Sequence, residues 1–177
     1  MKKVVLFIGL AVMFLGCDNN TLLMQKVIDD KKGEVEVLLG QGVTVDARNG
    51  YGWTALMHAA RTGNFEIAKL LIEHGADVNA IDDTGRSPLI RSAFSGSEDI
   101  VSLLLEHGAK TNATDEMGRT ALHWAVTRGH AEMVTVLLQH GADYTLRTND
   151  GWTPRGLAVK EGEPEIINLL TQAGAKY

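Results

Sequence analysis

The sequence predicts an all-α repeat solenoid, and three observations carry that prediction. Glycines recur at a fixed interval of 33 residues: Gly52, Gly85, Gly118 and Gly151; Gly63, Gly96, Gly129 and Gly162; and Gly75, Gly108, Gly141 and Gly174, a series that Gly42 extends one period upstream. A hydroxyl keeps the same interval at Thr54, Ser87, Thr120 and Thr153. Two short apolar helical patterns fall between the glycines of each copy. A fixed period in the range of about 20–50 residues marks units that cannot bury an apolar face alone and do so by stacking on their neighbours. Function then resides on the surface of the stack.

Taken in chain order, the first element lies outside the repeats. Lys2 and Lys3 precede thirteen uncharged residues, Val4 to Gly16, and then Cys17. A helix of that length covers about 20 Å, short of a hydrocarbon core of roughly 30 Å. A charged start, a short apolar run and small residues before a cut site describe a secretory signal over residues 1–16. Phe14-Leu15-Gly16-Cys17 resembles the bacterial lipobox, which implies a lipid-modified Cys17 at the new N-terminus and a short linker over 17–20. An ordinary cleaved signal and a buried N-terminal helix are the competing readings. Cys17 is the sole cysteine of the chain, so no intrachain disulfide can form, which suits an oxidising envelope. Asp18 resembles the signal that retains some Gram-negative lipoproteins at the inner membrane, which implies a domain on the periplasmic side.

Residues 21–47 read as a degenerate first unit that caps the array. Leu22, Leu23, Val27 and Ile28 fit a first helix, and Val35, Val37, Leu38 and Leu39 a second. Gly33 and Gly42 are nine positions apart where Gly63 and Gly75 are twelve, so nearly one helical turn is expected to be missing. The charges in Asp29-Asp30-Lys31-Lys32 suit a solvated end.

Four regular units follow, at 48–80, 81–113, 114–146 and 147–177. In the third, Thr120 is an N-cap whose hydroxyl can accept from free N–H groups of the helix Thr120 to Val126. Gly129 stops it. Met133, Val134, Leu137 and Leu138 then give Ala131 to Gln139 an apolar stripe, a second helix packed on the first. Gly141 ends that helix at the left-handed position that a residue without Cβ adopts cheaply. The stretch Ala142 to Gly151 is rich in turn residues and projects as a hairpin-like loop. Leu70, Leu71, Leu104, Leu105, Leu137 and Leu138 are expected between units.

These residues resemble the ankyrin-repeat family over residues 21–177. Gly118-Arg-Thr-Ala-Leu-His-Trp-Ala, Gly129-His-Ala-Glu-Met-Val, Leu-Leu-Gln-His-Gly-Ala-Asp and Gly151-Trp-Thr-Pro carry the likeness. Ala55 and Ala121 replace the family's proline, Met57 and Ile90 its histidine, and Arg91-Ser92 interrupt an apolar helix face. Arg155 replaces a core leucine, as suits a C-terminal unit with no neighbour beyond it. His123 matches the family's structural histidine, while His58 and His130 are expected near solvent.

Composition narrows the function. Without Lys2 and Lys3 the chain keeps 15 of its 17 basic residues against 22 acidic ones, a formal charge of −7. No basic stripe argues for nucleic acid, and the only expected membrane contact is the lipid. His74, His107 and His140 keep the period, but helices about 8–10 Å apart cannot bring two imidazoles onto one zinc at about 2.0 Å each. Asp82-Asp83 and Asp115-Glu116 lack calcium-loop spacing. There is no nucleophile elbow, His-Glu-x-x-His or phosphate loop, so neither catalysis nor a cofactor is expected.

The resemblance implies a monomer that binds a protein partner on the concave face made by loop tips and first helices. Carried onto this chain, that face holds Tyr51, Trp53, Arg61, Asp83, Arg86, Phe94, Glu116, Met117, Arg119 and Arg128. Aromatic, Met and Arg side chains dominate protein interfaces. Trp53, Arg86, Arg119 and Trp152 share one repeat position, and stacking across adjacent loops is the competing reading of that column. Two functions follow: an envelope-anchored interaction module, or a periplasmic immunity lipoprotein that inhibits a toxin enzyme.

Overall fold

Residues 19–175 are described by a computed structural model. Within them ten helices run as five antiparallel pairs: α1 (Asn19–Ile28) with α2 (Lys32–Gly40), α3 (Ala55–Thr62) with α4 (Phe65–Glu73), α5 (Pro88–Ser95) with α6 (Glu98–Glu106), α7 (Ala121–Thr127) with α8 (Ala131–Gln139), and α9 (Pro154–Glu161) with α10 (Pro164–Gln172). The pairs stack into an all-α repeat solenoid. First helices of successive units pack on each other more extensively than second helices do. The array therefore curves with its first helices on the inner side.

Each first helix of the regular units starts as its sequence directs. The hydroxyls of Thr54, Ser87, Thr120 and Thr153 accept from the backbone N–H of Met57, Ile90, His123 and Gly156. Such caps satisfy donors that have no partner inside the helix. The second helices end on His74, His107 and His140, whose Nδ1–H groups donate to the carbonyls of Leu70, Leu103 and Val136 at 2.8, 2.8 and 3.0 Å. These histidines thus finish the helices one residue before the left-handed glycines Gly75, Gly108 and Gly141.

The leucine column divides in a way the sequence expectation did not separate. Leu71, Leu104 and Leu137 are fully buried, whereas Leu70, Leu105 and Leu138 are half-buried at the edge of the core. In a nine-residue helix, positions i, i+1 and i+4 form one stripe, here Ile67, Ala68 and Leu71 or Ile100, Val101 and Leu104. The residue before or after that last leucine lies about 100° away around the axis.

The first pair departs from expectation more strongly. α2 has nine residues, as α4, α6, α8 and α10 do, and no turn is missing. Gly33 lies inside the first turn of α2 rather than at the stop before it. Asp30, one period upstream of Gly63, supplies the stop, with φ +55. Asp and Asn tolerate that conformation better than other side chains, and Asn64 of the next unit donates its side-chain amide to Asp30. Ile28 and Val37, both expected in the helix packing, are 47% and 59% exposed.

Loops of successive units are joined at both ends. At the tips, the backbone N–H groups of Asp83, Glu116 and Asn149 donate to the carbonyls of Tyr51, Thr84 and Met117 at 3.3, 3.1 and 3.0 Å. At the loop starts, Asn79 and Asn112 accept from the N–H of Lys110 and Asp143 at 2.8 Å each. The tip contact requires glycine: a Cβ on Gly118, at φ +71, would lie 2.6 Å from Asn149 Oδ1 and 2.9 Å from Asn149 N. Among the described residues no helix is long and apolar enough to cross a membrane. Cys17, Asp18 and the signal-like segment lie outside them.

Candidate protein-interaction surface

The inner face is built on a polar residue at one repeat position: Asn49, Asp82, Asp115 and Thr148. Asp82 is buried, and its Oδ1 accepts from the N–H of Thr84 at 2.8 Å and of Arg86 at 3.1 Å. Asp115 repeats this with Met117 at 2.9 Å and Arg119 at 3.0 Å, and Asn49 with Tyr51 at 2.9 Å and Trp53 at 3.1 Å. Bonds of this kind fold the loop back on itself and fix its tip.

In the first three of these units the other end of the side chain reaches nine residues on, into the first helix. Asp82 Oδ2 accepts from Arg91 Nε at 3.0 Å and from its terminal nitrogen, Asp115 Oδ2 from Trp124 Nε1 at 2.9 Å, and Asn49 Nδ2 lies 3.4 Å from His58 Nε2. Burial pushes the Asp82 carboxyl up, but the bonds from Arg91, Thr84 and Arg86 outweigh it and hold it below the ordinary carboxylate value. Arg91 is therefore no interruption of an apolar face. It is the partner of a buried carboxylate.

On this base lies a run of rings and cations that crosses three units. Arg91 stacks on Trp53, with its guanidinium carbon 3.8 Å from the ring centre, and Arg61 lies 5.3 Å from the same ring. Phe94 meets Trp124 edge to face at 5.2 Å, and Arg128 covers Phe94 at 3.8 Å. Arg86 and Arg119 each lie 4.7 Å from Trp124, and Arg86 Nε is 3.4 Å from Asp115. In the last unit Lys160 lies 5.3 Å from Trp152. Contacts of this type contribute about 0.5–2 kcal/mol each as they become desolvated.

The ten candidate residues thus fall into two groups. Trp53, Arg86, Phe94 and Arg119 are half-buried in the floor, while Tyr51, Arg61, Asp83, Glu116, Met117 and Arg128 are exposed above it. The column of Trp53, Arg86 and Arg119 does stack, though on Arg91 and Trp124 of the helices rather than loop on loop. His58, Asp82, Arg91, Asp115 and Trp124 belong to the surface and were missed from sequence. The signal was the constant nine-residue offset between 49 and 58, 82 and 91, and 115 and 124.

His123 holds the third and fourth units together. Its Nδ1 accepts from the N–H and hydroxyl of Thr120, at 3.2 and 2.9 Å, and its Nε2–H donates to Trp152 O at 3.2 Å. Burial depresses its pKa below the ordinary 6.5, and His58 is depressed by half-burial and by Arg61 and Arg91. His123 is fully buried, whereas His58 is half-buried at the solvent edge, as expected of it. Both contributions to stability are complete above pH 6.5 and are lost as pH falls from there through the folded-state values, because the unfolded chain takes up the protons first. The melting temperature is expected to fall between pH 7.5 and 5, and a double His58→Gln, His123→Gln variant to show a flatter profile.

A stack of capped helix pairs joined by hairpin-like loops defines a helical-repeat solenoid. The family described as ankyrin repeats, three copies, matches residues 23–115 and 111–177, and the chain belongs to that family. No curated protein matches the chain. Ankyrin repeats serve as protein–protein interaction modules and are in general non-catalytic, so a protein partner is the ligand class this fold defines.

Proposed function

We propose that the chain is a non-catalytic, monomeric interaction module, lipid-anchored through Cys17 on the periplasmic side of a bacterial envelope, that holds a protein partner on its inner face. Asp18 favours the inner membrane. The observation that carries the choice of face is a pair of large apolar side chains at loop tips, Tyr51 at 75% and Met117 at 43% exposure, set beside the half-buried aromatic floor. Solvated side chains of this type next to a rigid base are what a partner desolvates at the centre of an interface.

Two experiments test the two halves. Cys17→Ala is expected to move the protein from the membrane to the soluble fraction, and continued flotation with membranes refutes the anchor. For the face, Tyr51→Ala and Met117→Ala are each expected to weaken partner binding by about 2 kcal/mol with an unchanged melt. They are cleaner probes than Trp53→Ala or Phe94→Ala, because Trp53 supports Arg91 and Phe94 supports Arg128, and their removal costs stability as well. Equal loss from Lys69→Ala on the second-helix face contradicts the assignment.

A further inference from the structure

We propose that the inner face selects an acidic polypeptide segment, a reading that rests on the interaction surface above and names the chemistry of its occupant. The chain is acidic, yet its charges are segregated. The second helices of the regular units, α4, α6, α8 and α10, carry seven acidic residues and one basic residue, Lys69. The first helices, α3, α5, α7 and α9, carry four basic residues and one acidic residue, Glu161. Arg119 and Arg128 add to the basic side from the loop and the helix end.

Pairing within the chain consumes only part of this positive charge. Arg86 and Arg91 are neutralised by Asp115 and Asp82. Arg61, Arg119, Arg128 and Lys160 rest on ring faces, and among the described residues none of them has a carboxylate partner. The Arg119 Nε is buried without a hydrogen-bond acceptor. A guanidinium lying on an aromatic ring is held in one plane with its N–H edge free, the geometry that receives a carboxylate with two parallel bonds. Four unpaired cations with aromatic backing, in a protein of negative net charge, thus complement side-chain carboxylates.

A nucleic acid is the disfavoured polyanion. Asp83 and Glu116 stand on the loop tips among the cations, where they repel a phosphate backbone whose charges are fixed at every link, while glutamate side chains can swing away from the tips toward the arginines.

The test uses the full chain in neutral detergent and three fluorescent probes: oligoglutamate, oligoglutamine and single-stranded DNA of matched charge. Oligoglutamate is expected to bind, with affinity falling as salt rises, and oligoglutamine not to bind. Arg119→Gln with Arg128→Gln should weaken oligoglutamate binding about tenfold, and Arg61→Gln with Lys160→Gln, a pair on exposed side chains, should do the same if the first pair perturbs the fold. Glu98→Gln should leave binding unchanged. Tighter binding of the DNA, equal binding of oligoglutamine, absence of oligoglutamate binding, or indifference to both arginine and lysine pairs overturns the proposal. If Tyr51→Ala weakens capture of the natural partner while the charge variants do not, the acidic occupant is wrong and the interaction face stands. If neither affects capture, both fail.

Discussion

Asp82→Ala is expected to destabilise the fold by about 3–5 kcal/mol, the scale for stripping a buried cation of its partner. The Asp82 side chain is fully buried and that of Arg91 is 11% exposed, so the guanidinium cannot recover its lost bonds from water without opening the stack. The same change removes the acceptor for Thr84 and Arg86 and frees the loop tip. Asp82→Asn separates the two effects, since Asn49 makes the same backbone bonds in the preceding unit. Asp82→Asn should therefore cost less than alanine. Adding Arg91→His, which rebuilds the Asn49–His58 pairing one unit along, should recover part of the loss. Thermal melts of the four proteins check the order, and a wild-type melt for Asp82→Ala contradicts the buried-pair account.

Leu104→Ala is expected to cost about 2–5 kcal/mol, from lost burial plus the cavity left behind. Leu104 is fully buried in the middle unit, so its loss weakens contacts to the units on either side, the coupling that holds a repeat array together. Leu105→Ala, next in sequence but half-buried, should cost clearly less. Equal shifts from the two would mean that the burial stripe is misassigned.

The repeat architecture was legible because stacking forces the same backbone solution every 33 residues. The helix Ala131–Gln139 and the cap Thr120 stand where the pattern put them. The first unit misled because Gly33 looked like a stop signal, whereas Asp30 supplies the left-handed residue and Gly33 begins a helix of normal length. On the inner face, the sequence identified which residue types a partner meets but not which of them the fold already uses. Phe94 read as an anchor and Trp53 as either an anchor or a stacking residue, and each carries a stacked guanidinium from the next unit. Arg91 read as a defect in an apolar helix because its partner, Asp82, sits in a different element and meets it only when the loop folds back.

The most direct measurement is site-specific photocrosslinking in intact cells, with p-benzoylphenylalanine placed singly at Tyr51, Met117, Lys69 or Glu132. The first two positions lie on the inner face and the last two on second helices. A discrete protein adduct from Tyr51 and Met117, with none from Lys69 or Glu132, is the predicted result. Adducts from Lys69 and Glu132 alone would contradict an inner-face binding module.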